Sequence, residues 1–287
     1  MTELLKGKPV ADKIREDVAS RVEALKKDGT EPMLAILRVG DNPDDLAYES
    51  SILKSANALG VNVNVFAEED SATQERMLAL IDDINKDDSI HGCLIFRPLP
   101  SHLDEVEICN RLAARKDIDG CGAPSLAGVF MDLAEGYAPA TAQACMELLD
   151  MHGITVQGKK VCVVGRSLVI GKPVAMLALD RDATVTICHS KTKDVVRATR
   201  EADIVVCATG KAKFFDNGYF SEGQVVIDVG MNLCDDGKFC GDVDALSVEG
   251  KVGSLTPVPG GVGAITTAVL LEHVVDACER WHAKPEA

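Results

Sequence analysis

Aromatic residues are scarce in this 287-residue chain, 4% in all, and they do not alternate with basic residues. Positive charge is in deficit too: 30 Lys and Arg face 45 Asp and Glu, a formal net charge of −15. Together these exclude a broad nucleic-acid surface, while leaving room for a local basic pocket that takes an anionic ligand. No apolar run is long enough to span a bilayer, so no membrane partner is expected. The N-terminal MTELLKGKPVADKIRED has no signal-peptide core, which points to a cytoplasmic protein. The ten cysteines form no CxxC pair and no dense framework. They are expected to be free thiols in a reducing compartment, with Cys93, Cys162, Cys188 and Cys207 in apolar, strand-like runs. The histidines are scattered without ligand spacing, and no metal is expected.

What is present is an alternation of strand and helix signals, centred on residues 161–173 (VCVVGRSLVIGKP). Four apolar residues without a polar break read as a strand buried on both faces. Gly165, Arg166, Ser167 and Gly171 follow, and then an apolar-rich helical pattern. A strand, a glycine turn and a helix N-terminus make an anion site, because backbone N–H groups and the helix dipole point over the turn. The spacing is Gly-x-Ser-x-x-x-Gly, so taken alone it also describes an ordinary strand-to-helix turn.

Before it, strands are expected at 33–39, 61–66 and 92–96. Helices are expected at 9–27, 45–59, 72–86 with a cap at Asp70 or Ser71, and 102–114. After a linking helix at 141–152, strands follow at 161–164, 183–188, 204–208 and 225–229. Each of these ends in small or polar residues, where parallel sheets bind ligands. The fold class is α/β, with two α/β domains, the second a Rossmann-like parallel sheet. A last helix at 267–281 is expected to return to the first domain. The domains are therefore residues 1–140 with 268–287, and residues 141–267.

Several motifs occur in one order: Gly40…Asn42-Pro43 with Tyr48, Gly92…Pro98-Leu99-Pro100, and Lys116-Asp117-Ile118-Asp119-Gly120. Gly165-Arg166-Ser167…Gly171-Lys172-Pro173, Asp228-Val229-Gly230, Gly241-Asp242-Val243 and Thr256-Pro257-Val258-Pro259-Gly260-Gly261-Val262-Gly263 continue the series. On these the chain resembles the methylenetetrahydrofolate dehydrogenase/methenyltetrahydrofolate cyclohydrolase family along nearly its whole length. The resemblance implies a cleft between the domains, a homodimer and a tetrahydrofolate one-carbon substrate. It also implies two reactions: hydride transfer from 5,10-methylenetetrahydrofolate to a nicotinamide, and hydration of the resulting methenyl cation. Hydride transfer needs two rings held face to face. Hydration also needs groups that activate water and move protons.

By the same resemblance Tyr48 and Asp119 are catalytic, and Tyr48, Pro98, Leu99, Asp119, Pro259, Gly260 and Gly261 hold substrate. A carboxylate at Asp119 suits the amino and amide N–H groups of a pterin. The family's lysine four residues beyond the tyrosine is Ile52 here. Lys54 lies two residues further on, about 200° around the helix, and should point away. The family's glutamine in Val-Gln-Leu-Pro-Leu is Phe96, in Ile95-Phe96-Arg97-Pro98-Leu99, and Asp45 stands where a serine is usual. Losing the lysine and glutamine together reads as coordinated remodelling, since a lysine beside Phe96 would lack its polar partner. Hydride transfer is expected to survive and cyclohydrolase activity to be absent or weak. The alternatives are a fully bifunctional enzyme and a non-catalytic folate- and dinucleotide-binding relative.

Gly165, Arg166, Ser167, Ser190 and Met231 are the expected cofactor residues. Where an NAD site often carries an acid, this chain has His189, Ser190, Lys191 and Lys193. Arg166 and these bases would attract a ribose 2′-phosphate, so NADP is favoured, with NAD possible. A solvated basic loop is the alternative for the two lysines.

Overall fold

The structure is a computed structural model and describes residues 1–234 and 237–282. It contains two compact units: Met1–Asp12 with Thr141–Thr266, and Lys13–Ala140 with the segment from Thr267. Among the described residues, no helix is long and apolar enough to cross a membrane.

The first unit carries a six-stranded parallel sheet in the order Glu3–Leu4, Ser254–Leu255, Val225–Asp228, Ile204–Cys207, Lys160–Val164, Thr184–Cys188. Val161–Val164 and Ile204–Cys207 are buried throughout, as continuous apolar runs in a covered parallel sheet should be. After Lys160–Val164 the chain places its next strand on one side and the following one on the other. The carboxyl end of that strand is therefore the switch point, where such sheets bind ligands, and Gly165 stands there.

Residues 1–12 were expected in the other domain. They depart because Glu3 and Leu5 donate N–H bonds to Gly253 and Leu255, and Gly7 donates to Gly260 at 2.8 Å. A two-residue strand carries no legible period. One further expectation fails in this unit: Cys234 and Cys240 form a disulfide across the antiparallel pair Asn232–Leu233 and Phe239–Cys240. Cys93, Cys162, Cys188 and Cys207 are free and buried.

The second unit has a three-stranded parallel sheet ordered Asn62–Glu68, Met33–Val39, Gly92–Ile95. A parallel bridge from Cys93 to Asp117 adds a fourth extended segment beside the last strand. Pro43–Leu59 follows the central strand; Asn42 caps its start and Gly60, at φ 75°, ends it. Arg38, buried in that strand, bonds Glu49 at 2.9 Å and Asp41 at 2.7 Å, which fixes the rotation of the helix. Removing Glu49 would leave the buried guanidinium with Asp41 as its remaining carboxylate partner, at about 1–3 kcal/mol. Two expected helices are shifted. Gln74–Lys86 is capped by Thr73 rather than Asp70 or Ser71, and Glu105–Arg111 is shorter than expected because Asp104 caps it late. Arg21 pairs with Asp276 and Glu279, tying Gly7–Lys27 to the final helix Thr266–His282.

Candidate active site

In the second unit, a polar cluster forms where parallel segments end. Asp117 pairs with Cys93 and the chain then turns at Ile118 and Asp119, while Phe96 and Arg97 follow the end of the strand Gly92–Ile95. Arg97 Nη2 donates to Asp119 Oδ2 at 3.2 Å, and both side chains keep about a fifth of their surface, 19% and 21%. Tyr48 arrives from its helix with its ring 5.5 Å from that of Phe96. Its hydroxyl is hydrogen-bonded with Thr267. Enclosure of the hydroxyl end pushes the phenol above its ordinary range, and the nearby Asp119 carboxylate adds to the rise. Burial pushes the Asp119 carboxyl up as well, against the Arg97 guanidinium, which holds it down.

The two positions expected to depart from the family are apolar in their surroundings as well. Ile52 is fully enclosed, with 0% of its surface exposed, and Phe96 retains 5%. Lys54 is exposed, and Asp45 is half-buried one turn before Tyr48. Pro98 is exposed after a cis peptide bond with Arg97. Leu99 does not turn towards the cluster. Its side chain lies in the apolar core and its N–H donates to Glu105 at 2.9 Å. The neighbours of Asp119 in its motif are structural. Lys116 donates to the carbonyls of Ile84 and Asp87, and Asp117 accepts from Cys121, Gly122 and Ser125.

In the first unit the glycine turn is tightly built. Gly165 has φ +143°, and a Cβ there would lie 2.3 Å from the carbonyl oxygen of Ala208. A Cβ on Gly171 would lie 2.4 Å from the carbonyl oxygen of Gly165, so the helix Gly171–Asp180 starts directly against the turn. Ser167 Oγ accepts from the N–H groups of Ile170 and Gly171, and its carbonyl accepts from Lys172. The first N–H groups of the helix are thus already engaged, and Arg166–Val169 form the outward edge, with Arg166 exposed. His189, Ser190, Lys191 and Thr192 form a second turn. Its hydrogen bonds run between His189 and Thr192 and from the Lys191 N–H to His189 Nδ1, leaving Ser190 and Lys191 exposed.

Met231, Pro259, Gly260 and Gly261 surround one cavity of about 220 Å³ together with Ile170 and Thr141. The Val258–Pro259 bond is cis. Behind this cavity two carboxylates organise the backbone. Asp228 accepts from the N–H groups of Gly230, Asp242 and Val243; burial pushes it up to about 6 against those three donors. Asp242 accepts from Thr209, Gly210, Lys211 and Asn232. In the sequence, Asp228 and Asp242 carry no signal beyond their places in Asp228-Val229-Gly230 and Gly241-Asp242-Val243.

The histidines are less scattered than their spacing implied. Ligand atoms of His91, Cys278 and His282 lie within 4.8 Å of one another. However, His91 Nδ1 accepts the Met33 N–H at 3.1 Å. The ring proton therefore sits on Nε2, which faces His282 Nε2 at 3.4 Å as a donor. That arrangement is a hydrogen bond between two imidazoles rather than a pair of metal ligands. Burial, with His282 and Lys116, pushes His91 down to about 4.

Comparison with known proteins agrees with this geometry. Residues 5–119 match the description "Tetrahydrofolate dehydrogenase/cyclohydrolase, catalytic domain", and residues 139–282 its NAD(P)-binding domain. The bifunctional protein FolD of Clostridium botulinum (strain Langeland) is 46% identical over 98% of this chain and 99% of its own. The crystal structure of the bifunctional FolD methylenetetrahydrofolate dehydrogenase/cyclohydrolase of Campylobacter jejuni superposes with a TM-score of 0.95. It shares 38% identity and covers 98% of this chain and 99% of its own. FolD of Trypanosoma brucei, solved with NADP and an inhibitor, gives a TM-score of 0.93 at 30% identity and covers 99% of both chains. The chain belongs to the tetrahydrofolate dehydrogenase/cyclohydrolase family.

Proposed function

We propose that this protein oxidises 5,10-methylenetetrahydrofolate to 5,10-methenyltetrahydrofolate with NADP, and that its cyclohydrolase activity is absent or weak. The observation that carries this is the apolar character of both departures. Ile52 is fully enclosed, and Phe96 packs its ring against Tyr48. Hydration of a methenyl cation needs a group that takes a proton from water at the reacting carbon. Lysine and glutamine would supply that; isoleucine and phenylalanine do not, and exposed Lys54 is no substitute.

Hydride transfer asks less of the side chains. When bound, NADP supplies the hydride acceptor. Gly165 and Gly171 let the turn close tightly, and Arg166 with Lys191 offers positive charge to a 2′-phosphate. Met231, Pro259, Gly260 and Gly261 wall the nicotinamide and folate end. Tyr48 and Asp119 hold the folate in register, Asp119 through the pterin N–H groups. Two relatives described above carry the name bifunctional, so a retained cyclohydrolase is the principal rival; a non-catalytic relative is the other. A homodimer fits the sheet edge Thr184–Cys188, whose Thr184, Thr186 and Ile187 are exposed.

The test is the double variant Ile52→Lys with Phe96→Gln. Cyclohydrolase turnover should rise well above that of the native chain. No rise in a variant that still reduces NADP would contradict the reading. Titration with NADP separates the non-catalytic rival, which would bind the nucleotide and never reduce it.

A further inference from the structure

Arg97 is unexplained by anything above, although it is the strongest polar contact of Asp119. It lies two residues beyond the strand Gly92–Ile95, whose Cys93 pairs with Asp117, two residues before Asp119. The guanidinium meets Asp119 through Nη2 at 3.2 Å. Neither side chain is sealed in, at 19% and 21% exposure, so both remain available to a ligand. A guanidinium has five N–H donors in a flat fork, and the bond to Asp119 uses one of them.

We infer that Arg97 and Asp119 together read one edge of the pterin ring, Asp119 taking its amino and amide N–H groups and Arg97 donating to the adjacent C4 carbonyl oxygen. The inference rests on the folate reading of this site given above. The edge of a 2-amino-4-oxopteridine presents donor, donor and acceptor in sequence. A carboxylate accepts the first two, and a donor held beside the carboxylate meets the third. Asp119 alone satisfies two of the three positions and senses C4 only indirectly, because N3 carries a hydrogen in the 4-oxo form and none in the 4-amino form. A guanidinium in the third position makes C4 a point of discrimination, because an amino group there would set donor against donor. Unpaired polar groups in a partly enclosed site are costly, which is how hydrogen-bonding sites reject analogues of the wrong pattern.

The test is equilibrium binding of folic acid and of aminopterin, its analogue with 4-amino in place of 4-oxo, to the intact protein. Native protein should prefer folic acid by about tenfold or more. Arg97→Leu should narrow that preference to the part Asp119 supplies through N3, with folic acid weakened and aminopterin unchanged or strengthened. Arg97→Lys keeps one donor and should keep part of the preference. NADP binding by each variant reports that the chain is folded. Equal weakening of both compounds in Arg97→Leu, with the ratio preserved, would overturn the role of Arg97 while leaving the folate reading intact. Binding of neither compound by the native protein would overturn the folate reading, and this inference with it.

Discussion

The glycine turn and the Tyr48 cluster differ in what holds them. The turn is made almost wholly of backbone: Gly165 against Ala208, Gly171 against Gly165, and Ser167 closing the helix start. Few substitutions fit such a construction without moving a strand or a helix. The cluster is made of side chains at the free ends of strands and on one helix face. On the function proposed above, its residues can be exchanged in pairs without disturbing the sheet, since Ile52 and Phe96 are both buried. A binding function built on backbone is therefore hard to lose piecemeal. A proton-transfer function built on two side chains would be lost if both were exchanged, as proposed for Ile52 and Phe96.

If that contrast holds, Gly165→Ala should have the largest effect. Its Cβ would meet a carbonyl oxygen at 2.3 Å in a backbone conformation that L residues rarely adopt. NADP affinity, measured by titration, should fall by roughly 100-fold, or about 2.7 kcal/mol. Next, Ile52→Lys alone should lower stability by about 2 kcal/mol, because an ammonium would enter a closed apolar space. Adding Phe96→Gln should recover about 0.5–2 kcal/mol of that, read from chemical denaturation as a double-mutant cycle. Strict additivity would mean that the two positions were not exchanged as a pair. Arg166→Ala should weaken NADP about tenfold more than NAD; equal weakening would remove the 2′-phosphate contact.

A smaller effect separates the cluster from the rest of its unit. His91 lies at about 4 in the folded chain against an ordinary value of 6.5. Between those values the unfolded chain binds a proton that the folded chain refuses, so stability falls as pH drops from about 6.5 to about 4. The contribution is about 1–3 kcal/mol. Asp119 and Asp228, both raised, act in the opposite sense: each favours the folded chain when protonated and loses that contribution as pH rises. His91→Asn can still accept the Met33 N–H. The melting temperature of native protein minus that of the variant should therefore shrink towards zero as pH falls. A difference constant with pH would place the acid sensitivity elsewhere.

Much of this was legible in the sequence, for local reasons. Val161–Val164 and Gly165 announce a buried strand and its turn, and Asp119 is found through its motif. Arg97 and Thr267 were not legible as partners of Asp119 and Tyr48, because those contacts depend on strand pairing and on a helix distant in the chain. Leu99 matched a motif whose spacing does not tell a core side chain from a ligand contact. The contacts of residues 1–12 with the larger sheet were not legible because pairing over two residues leaves no period. The Cys234–Cys240 link was missed because a spacing of six falls outside the usual cysteine patterns, and only the Asn232–Cys240 turnback brings the two together.

The most direct measurement follows the fate of 5,10-methylenetetrahydrofolate with native protein and NADP, beside a control in which the methenyl product stands without enzyme. The methenyl compound should accumulate as NADPH forms, and 10-formyltetrahydrofolate should appear no faster than in the control. NADPH formation accompanied by enzyme-dependent 10-formyltetrahydrofolate at a matching rate would contradict the loss of water activation at Ile52 and Phe96.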